Sequence, residues 1–181
     1  VVRDMRGNEV ERQTDVKPWT SDHLVVPTSA PSDLRGTGAT YTPNDCGMDD
    51  VDGDGEYEIV VKWDPSNSKD PSHSGITAST YLDCYRLNGT RLWRIDLGQN
   101  IRSGAHTTPF VCADLDGDGC AELMGKTAPG TVDGVGDWVL LEGDDPHASY
   151  VNAKGHIASG PEYITVFRGT DGKQLHTLPY H

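Results

Sequence analysis

Short runs of alternating apolar and polar residues recur along this chain, at 59–63, 81–86, 92–97 and 163–168. A two-residue period rich in β-branched and aromatic side chains predicts half-buried β-strands. No segment of similar length follows the 3.6-residue period of a helix, so we expect an all-β chain. Asn88-Gly89 and Asp171-Gly172 follow two of these strands and predict two-residue hairpin turns with positive φ angles.

A nine-residue acidic motif occurs twice. Residues 50–58 read Asp-Val-Asp-Gly-Asp-Gly-Glu-Tyr-Glu, and residues 114–122 read Asp-Leu-Asp-Gly-Asp-Gly-Cys-Ala-Glu. After each motif come a strand, an intervening segment, a second strand, a tight turn and a third strand. Such repeats are typical of β-propeller blades, because one small sheet cannot bury its faces alone. We expect about two blades, which is too few to close a propeller.

The second copy carries an insertion between its acidic motif and its hairpin, at about 137–160. Long loops on a repeat scaffold often carry function. An ordinary surface loop is the alternative, and the sequence leaves both open.

The chain is strongly acidic. It has 28 acidic and 15 basic residues, a formal net charge of −13 and a pI of about 4.7. This charge repels phosphate backbones and anionic lipid, so we expect neither nucleic acid nor membrane as a partner. Metal cations are more plausible partners for a chain with this negative charge. Four cysteines without CxxC spacing are interpreted as mostly free, with a Cys112–Cys120 disulfide as the alternative.

The acidic motifs predict calcium sites. Carboxylates at the first, third and fifth positions around a glycine turn repel one another unless a cation is bound, and oxygen ligands in a flexible loop favour Ca²⁺. The twelfth position, where an EF-hand has glutamate, is Val61 or Gly125. The predicted ligands are Asp50, Asp52, Asp54, Glu58 and the Glu56 carbonyl, then Asp114, Asp116, Asp118, Glu122 and the Cys120 carbonyl. A merely polar turn is the alternative. We expect bound calcium to clamp the start of a strand.

Four further strings make the chain recognisable. They are Lys62-Trp63-Asp64-Pro65-Ser66-Asn67-Ser68-Lys69-Asp70, Leu92-Trp93-Arg94-Ile95-Asp96-Leu97-Gly98, Asn100-Ile101-Arg102-Ser103-Gly104-Ala105-His106 and Ser159-Gly160-Pro161-Glu162-Tyr163. With the acidic motifs, they resemble the rhamnogalacturonan lyases of polysaccharide lyase family 11 over about 41–181.

The resemblance implies a calcium-rich propeller of about eight blades, preceded by a small β-sandwich domain. Residues 1–35 would then be the end of that domain and a linker, and residues 36–181 the first blades. The chain begins with Val1 rather than Met, and we interpret it as a fragment. We expect a secreted or cell-surface monomer whose signal peptide lies outside this chain.

The implied chemistry is β-elimination on the rhamnose–galacturonate backbone of rhamnogalacturonan I in pectin. Asn44 and Asp64 match substrate-contacting positions of the family. Lys62 offers a cation for a uronate, or a pair with Asp64. Arg102 and His106 are candidates for the cleft, although a lone histidine is more often structural. The base and the group that neutralises the carboxylate are expected in later blades, so no catalytic residue is assigned, and endo or exo cleavage stays open.

Two rival functions remain. The first is a non-catalytic, calcium-stabilised carbohydrate-binding or adhesion propeller, and the second is a structural calcium protein without a ligand. Five aromatic residues are able either to stack on sugars or to pack in the core, with the core favoured for most: Trp63, Trp93, Trp138, Tyr85 and Tyr163.

Overall fold

The computed structural model describes residues 2–11 and 20–180, which form ten β-strands and no helix. The strands are β1 Val2–Arg3, β2 Glu9–Glu11, β3 Tyr41–Asp49, β4 Glu58–Pro65, β5 Tyr81–Tyr85, β6 Arg91–Asp96, β7 Phe110–Ala113, β8 Glu122–Thr127, β9 Tyr163–Phe167 and β10 Gln174–Pro179. The prediction of an all-β chain is confirmed. In particular, this part of the chain has no helix long and apolar enough to cross a bilayer.

Each sequence repeat forms one four-stranded antiparallel sheet. The first sheet has the order β3-β4-β5-β6, and the second has the order β7-β8-β9-β10. β1 and β2 form a separate hairpin. The sequence pattern missed the strand that precedes each acidic motif. β3 contains Pro43 and Gly47 and is mostly exposed, and β7 has only four residues, so neither presents a clear apolar alternation.

The prediction of two-residue hairpin turns is wrong. Arg86 N bonds Thr90 O at 2.9 Å, so the first turn spans three residues, and Arg168 N bonds Lys173 O at 2.8 Å across a four-residue turn. Only the glycine of each dipeptide has a positive φ, 87° at Gly89 and 68° at Gly172. A two-residue turn with Asn or Asp first needs positive φ at both residues, which L side chains rarely adopt.

The two sheets pack face to face around the main apolar core. This core takes Val60, Leu82 and Ile95 from the first sheet, and Leu123 and Phe167 from the second. The other face of the first sheet carries a smaller cluster that includes Trp63 and Tyr81.

Four of the five aromatic residues named from the sequence are buried, so their predicted packing in the core is confirmed: Trp63, Trp93, Tyr85 and Tyr163. Trp138 is exposed and packs edge-on against His147.

The predicted insertion lies in the connection 128–162 between β8 and β9, and this connection packs back onto the first sheet. Asp96 and Val132 exchange backbone hydrogen bonds of 3.0 and 2.9 Å. Asn100 Nδ2 donates to the Ala148 carbonyl at 2.8 Å. The β8–β9 connection therefore ties the second sheet to β6 and to the β6–β7 connection of the first. All four cysteines are free, so the alternative of a Cys112–Cys120 disulfide is wrong.

Candidate metal centres and polar edge

The first acidic motif folds as a tight loop between β3 and β4. The Asp50 carboxylate accepts hydrogen bonds from the backbone amides of Gly53 at 2.7 Å, Asp54 at 3.2 Å and Gly55 at 2.8 Å. Gly53 and Gly55 have φ angles of 75° and 88°, which a residue with a Cβ rarely adopts. Glu58, the first residue of β4, reaches back to the Val51 amide at 3.1 Å.

The second acidic motif repeats this geometry between β7 and β8. Asp114 accepts from the amides of Gly117 at 2.7 Å and Gly119 at 3.1 Å, and Glu122 accepts from the Leu115 amide at 2.9 Å. Because the same bonds recur at matching positions, the loop shape follows from the nine-residue motif itself.

Each loop gathers three carboxylates into one cluster. Ligand oxygens of Asp50, Asp52 and Glu58 lie within 4.8 Å of one another, and so do those of Asp114, Asp116 and Glu122. Three carboxylate oxygens at this spacing suit a hard cation such as Ca²⁺.

One atom gives an independent test of fit. Asp52 Oδ1 is buried and has no hydrogen-bond partner, which is costly for a charged oxygen unless a cation is bound there. The residues of the first loop therefore fit a bound cation.

The charge on Glu58 is held in an unfavourable environment. Burial raises the pKa of the Glu58 carboxyl, the Val51 amide partly offsets this, and the carboxylates of Asp52 and Asp54 raise the pKa further. A bound cation would reverse the effect of both the burial and the like charges.

The fifth position of each motif lies outside these clusters. Asp54 accepts from the Glu56 amide at 2.8 Å, and Asp118 accepts from the Cys120 amide at 2.7 Å. Both carboxylates are exposed. Their role as ligands, and that of the Glu56 and Cys120 carbonyls, stays a prediction.

A second polar group lies at the opposite end of the first sheet. Thr42 pairs with Asp64 and Asp45 pairs with Lys62, so Asn44 falls in the register shift between them, at a β-bulge. Such bulges re-aim side chains and disrupt local pairing. Asp64 lies six positions after Glu58 along β4, a distance of about 20 Å in a strand. The structure thus separates the acidic loops from the predicted substrate residues.

Lys62 and Asp64 are both buried, and each has an unsatisfied polar atom. The Lys62 ammonium and Asp64 Oδ1 lack hydrogen-bond partners in the described chain, so the two do not form the close pair considered from the sequence. Burial raises the pKa of the Asp64 carboxyl. The Lys62 charge partly offsets this rise, and Asp45 adds to it.

Arg102 is held by backbone carbonyls. Its guanidinium donates to Gly75 O at 3.1 Å and also to the carbonyls of Gly155 and His73. These partners belong to the β4–β5 connection and to the insertion. The side chain therefore links the β4–β5 connection to the insertion. Arg102 also lines a cavity of about 210 Å³. The sequence suggested a cleft residue and did not anticipate this clamp.

His106 lies in the β6–β7 connection and is 76% exposed, with Nδ1 at 3.4 Å from Asp70 Oδ2. It is not brought into contact with Asn44 or Asp64 by any described hydrogen bond or ion pair. Its role in substrate binding stays a prediction.

Sequence reasoning did not single out two further charged positions. Asp83 is fully buried and accepts from Arg94 through two bonds of 2.6 Å, from Trp63 Nε1 at 3.0 Å and from the Tyr85 hydroxyl at 2.9 Å. Arg86 contacts the first acidic loop through Asp52 and Asp54. Its only sequence signal was its place at the end of a repeated strand.

Comparison with known proteins identifies the family. A model described as rhamnogalacturonan lyase family 11, C-terminal domain, matches residues 23–181. The rhamnogalacturonan exolyase YesX of Bacillus subtilis (strain 168) is 48% identical over 178 residues, and the rhamnogalacturonan endolyase YesW of the same organism is 47% identical over 179 residues. Each alignment covers 97% of this chain and 28% of the relative.

Solved structures of rhamnogalacturonan lyases also resemble this chain. The crystal structure of the exotype rhamnogalacturonan lyase YesX superposes with a TM-score of 0.81 at 51% identity, covering 87% of this chain and 26% of that one. A Bacillus licheniformis rhamnogalacturonan lyase gives a TM-score of 0.77 at 50% identity, with the same coverage. The chain spans little more than a quarter of the proteins it matches. It belongs to rhamnogalacturonan lyase family 11.

Proposed function

We propose that this chain is part of a rhamnogalacturonan lyase, an enzyme that cleaves the rhamnose–galacturonate backbone of rhamnogalacturonan I in pectin by β-elimination. The observation that carries the proposal is the similarity of 97% of the chain to both an exolyase and an endolyase of rhamnogalacturonan. The proposal concerns the longer protein, because the chain covers 28% of those relatives.

The two sheets are proposed to be successive blades of a β-propeller. One face of the second sheet is buried against the first, whereas its other face carries Val111, Met124, Ile164 and Leu178, of which Val111 and Leu178 are exposed. An uncovered apolar sheet face favours a further sheet packed against it. Residues 1–35 are proposed as the end of a preceding domain and a linker, and residues 36–181 as the first blades.

Calcium is proposed as the cation of both acidic loops. Support comes from the three convergent carboxylates in each loop and from the unpartnered Asp52 Oδ1. A bound ion would neutralise these carboxylates and fix the start of β4 and β8. Because the loops lie at the end of the strands away from Asp64, this role is structural rather than catalytic.

Substrate contact is proposed at the opposite end of the first sheet. β-Elimination removes the C5 proton of a galacturonate while charge develops at its carboxylate. We expect Asn44 and Asp64 to hydrogen-bond sugar hydroxyls and the Lys62 ammonium to hold positive charge nearby. Two unsatisfied buried atoms, Lys62 Nζ and Asp64 Oδ1, support a site completed by groups outside this chain. The base is proposed to lie in those missing parts.

A polymeric substrate of the plant cell wall is too large to enter a cell, which supports a secreted or cell-surface enzyme. We also propose that it acts as a monomer. The rival function, a binding or adhesion propeller without catalysis, has no comparable support, because both curated relatives are named as lyases.

The test uses the full-length protein that contains this chain, with calcium and rhamnogalacturonan I. Product formation is followed by the ultraviolet absorbance of the unsaturated uronate. Asn44→Ala and Asp64→Ala are each expected to lower kcat/KM about tenfold or more, since each removes a polar contact from a desolvated site. Asp22→Ala, at a side chain that is 94% exposed, is the matched control.

If neither variant changes kcat/KM, the assignment of Asn44 and Asp64 is wrong. If the parent protein releases no unsaturated product but still binds the polysaccharide, the binding-module function replaces the lyase.

A further inference from the structure

The two acidic loops differ in their relation to the arginine that follows the third strand of each sheet. Arg86 and Arg168 occupy equivalent positions, since each follows a repeated strand and precedes a hairpin turn. The guanidinium of Arg86 contacts Asp52 Oδ2 and lies 3.2 Å from Asp54 Oδ2. Arg168 instead contacts Asp171 Oδ1 at 3.1 Å, within its own turn.

The turn sequences account for this difference. The first turn has Asn88, which is neutral and uses its side-chain oxygen to accept from the Thr90 amide at 2.9 Å. The second turn has Asp171, which accepts from the Lys173 amide at 3.0 Å and also attracts Arg168. A carboxylate within the turn thus captures the arginine of the second sheet, whereas the first sheet leaves its arginine free to reach the acidic loop.

The guanidinium of Arg86 stands beside the candidate metal cluster and does not fill it. Arg86 contacts Asp52 Oδ2, while Asp52 Oδ1 remains buried without a hydrogen-bond partner. Asp52 is partly shielded from solvent, whereas its counterpart Asp116 is exposed. The first loop therefore has the positive charge of Arg86 next to its candidate cation ligands, and none of the described ion pairs gives the second loop such a charge.

We propose that Arg86 is a resident counter-ion that lowers the calcium affinity of the first loop below that of the second. This inference rests on the proposed calcium binding. A positive charge a few ångströms from a divalent site opposes the ion by direct repulsion. The same guanidinium stabilises the ion-free loop by neutralising Asp52 and Asp54, which also favours the ion-free state. Both effects act in the same direction.

The test is calorimetric titration with calcium alone, in this chain with the second loop disabled by Asp114→Asn and Asp116→Asn. In that background Arg86→Gln is expected to lower the calcium dissociation constant of the first loop about threefold to tenfold at low salt. Arg86→Lys keeps the positive charge, so the calcium affinity of its first loop is expected to stay close to that of the parent and below that of Arg86→Gln. Arg168→Gln is the matched control and is expected to change nothing.

A second measurement does not depend on disabling a loop. The otherwise unaltered chain should show two calcium sites of different affinity, and Arg86→Gln should tighten only the weaker one. An unchanged or weaker first site in Arg86→Gln would overturn the inference while leaving calcium binding intact. A first loop that binds no calcium in either the parent or Arg86→Gln would overturn the inference and the proposed calcium site together.

Discussion

Trp93 and Gly169 join the two sheets through one buried hydrogen bond. The indole Nε1 of Trp93, in β6, donates to the Gly169 carbonyl at 2.6 Å across 76 residues of sequence. Gly172, in the same turn, lies against the indole ring. The hairpin turn of the second sheet is thus docked on an aromatic side chain of the first, at the end of the molecule that carries the acidic loops.

Replacing Trp93 by phenylalanine should weaken this junction. The Gly169 carbonyl would stay buried without its donor, which costs about 1–3 kcal/mol. Urea unfolding of Trp93→Phe should show this loss. Trp138→Phe, at a side chain that is 43% exposed, should change stability by less than about 0.5 kcal/mol. Equal effects of the two substitutions would contradict a specific role for the bond.

Gly169 should tolerate no side chain. A Cβ there would overlap the Ala121 carbonyl oxygen and lie 2.8 Å from Val51 Cβ, so the sheets would have to move apart. We expect Gly169→Ala to lower the unfolding free energy by about 2 kcal/mol or more. Gly125→Ala is the control, since its nearest neighbour would be at 3.7 Å. Thermal unfolding of both variants checks this, and a stable Gly169→Ala chain would show that the contact is loose.

Asp64→Asn should stabilise the chain at neutral pH. Burial raises the pKa of Asp64 in the folded state above its unfolded value, even beside Lys62. Its contribution to stability is therefore present below the unfolded pKa, about 3.9, and is lost as pH rises through the folded pKa. We expect Asp64→Asn to add about 1 kcal/mol at pH 7. That advantage should shrink below about pH 4.

The measurement is urea unfolding of parent and variant across that pH range, with Asp22→Asn as the exposed control. A difference between Asp64→Asn and its parent that does not depend on pH would contradict the raised pKa.

Removal of calcium should destabilise the chain if the acidic loops bind it. Each site contributes about 2.7 kcal/mol when free calcium is one hundred times its dissociation constant. We expect a chelator to lower the thermal midpoint, and Asp50→Asn to abolish the part of that shift due to the first loop. Asp22→Asn should keep the full shift. A midpoint insensitive to chelator would rule out a structural role for the ion.

Local sequence patterns were sufficient to predict the acidic loops, the glycine turns within them and the strands with clear alternation. The Asp50 carboxylate and the Gly53 and Gly55 amides that it accepts from lie within one nine-residue motif, so the loop shape depends on local bonds. The same holds for β6, whose alternation buries Trp93 and Ile95. The exposed strand β3 shows no such alternation, because its extended conformation depends on hydrogen bonds to β4 rather than on the pattern of its own residues.

The partners of the long charged side chains depend on packing between distant segments and could not be predicted from local patterns. Arg102 is held by the carbonyls of Gly75 and Gly155, which are 27 and 53 residues away, and Lys62 is buried where two sheets meet. Arg86 and Arg168 look equivalent in sequence, yet they pair with different carboxylates. Such side chains reach several ångströms, so their partners depend on which remote segments packing brings within reach, and a local pattern does not encode that.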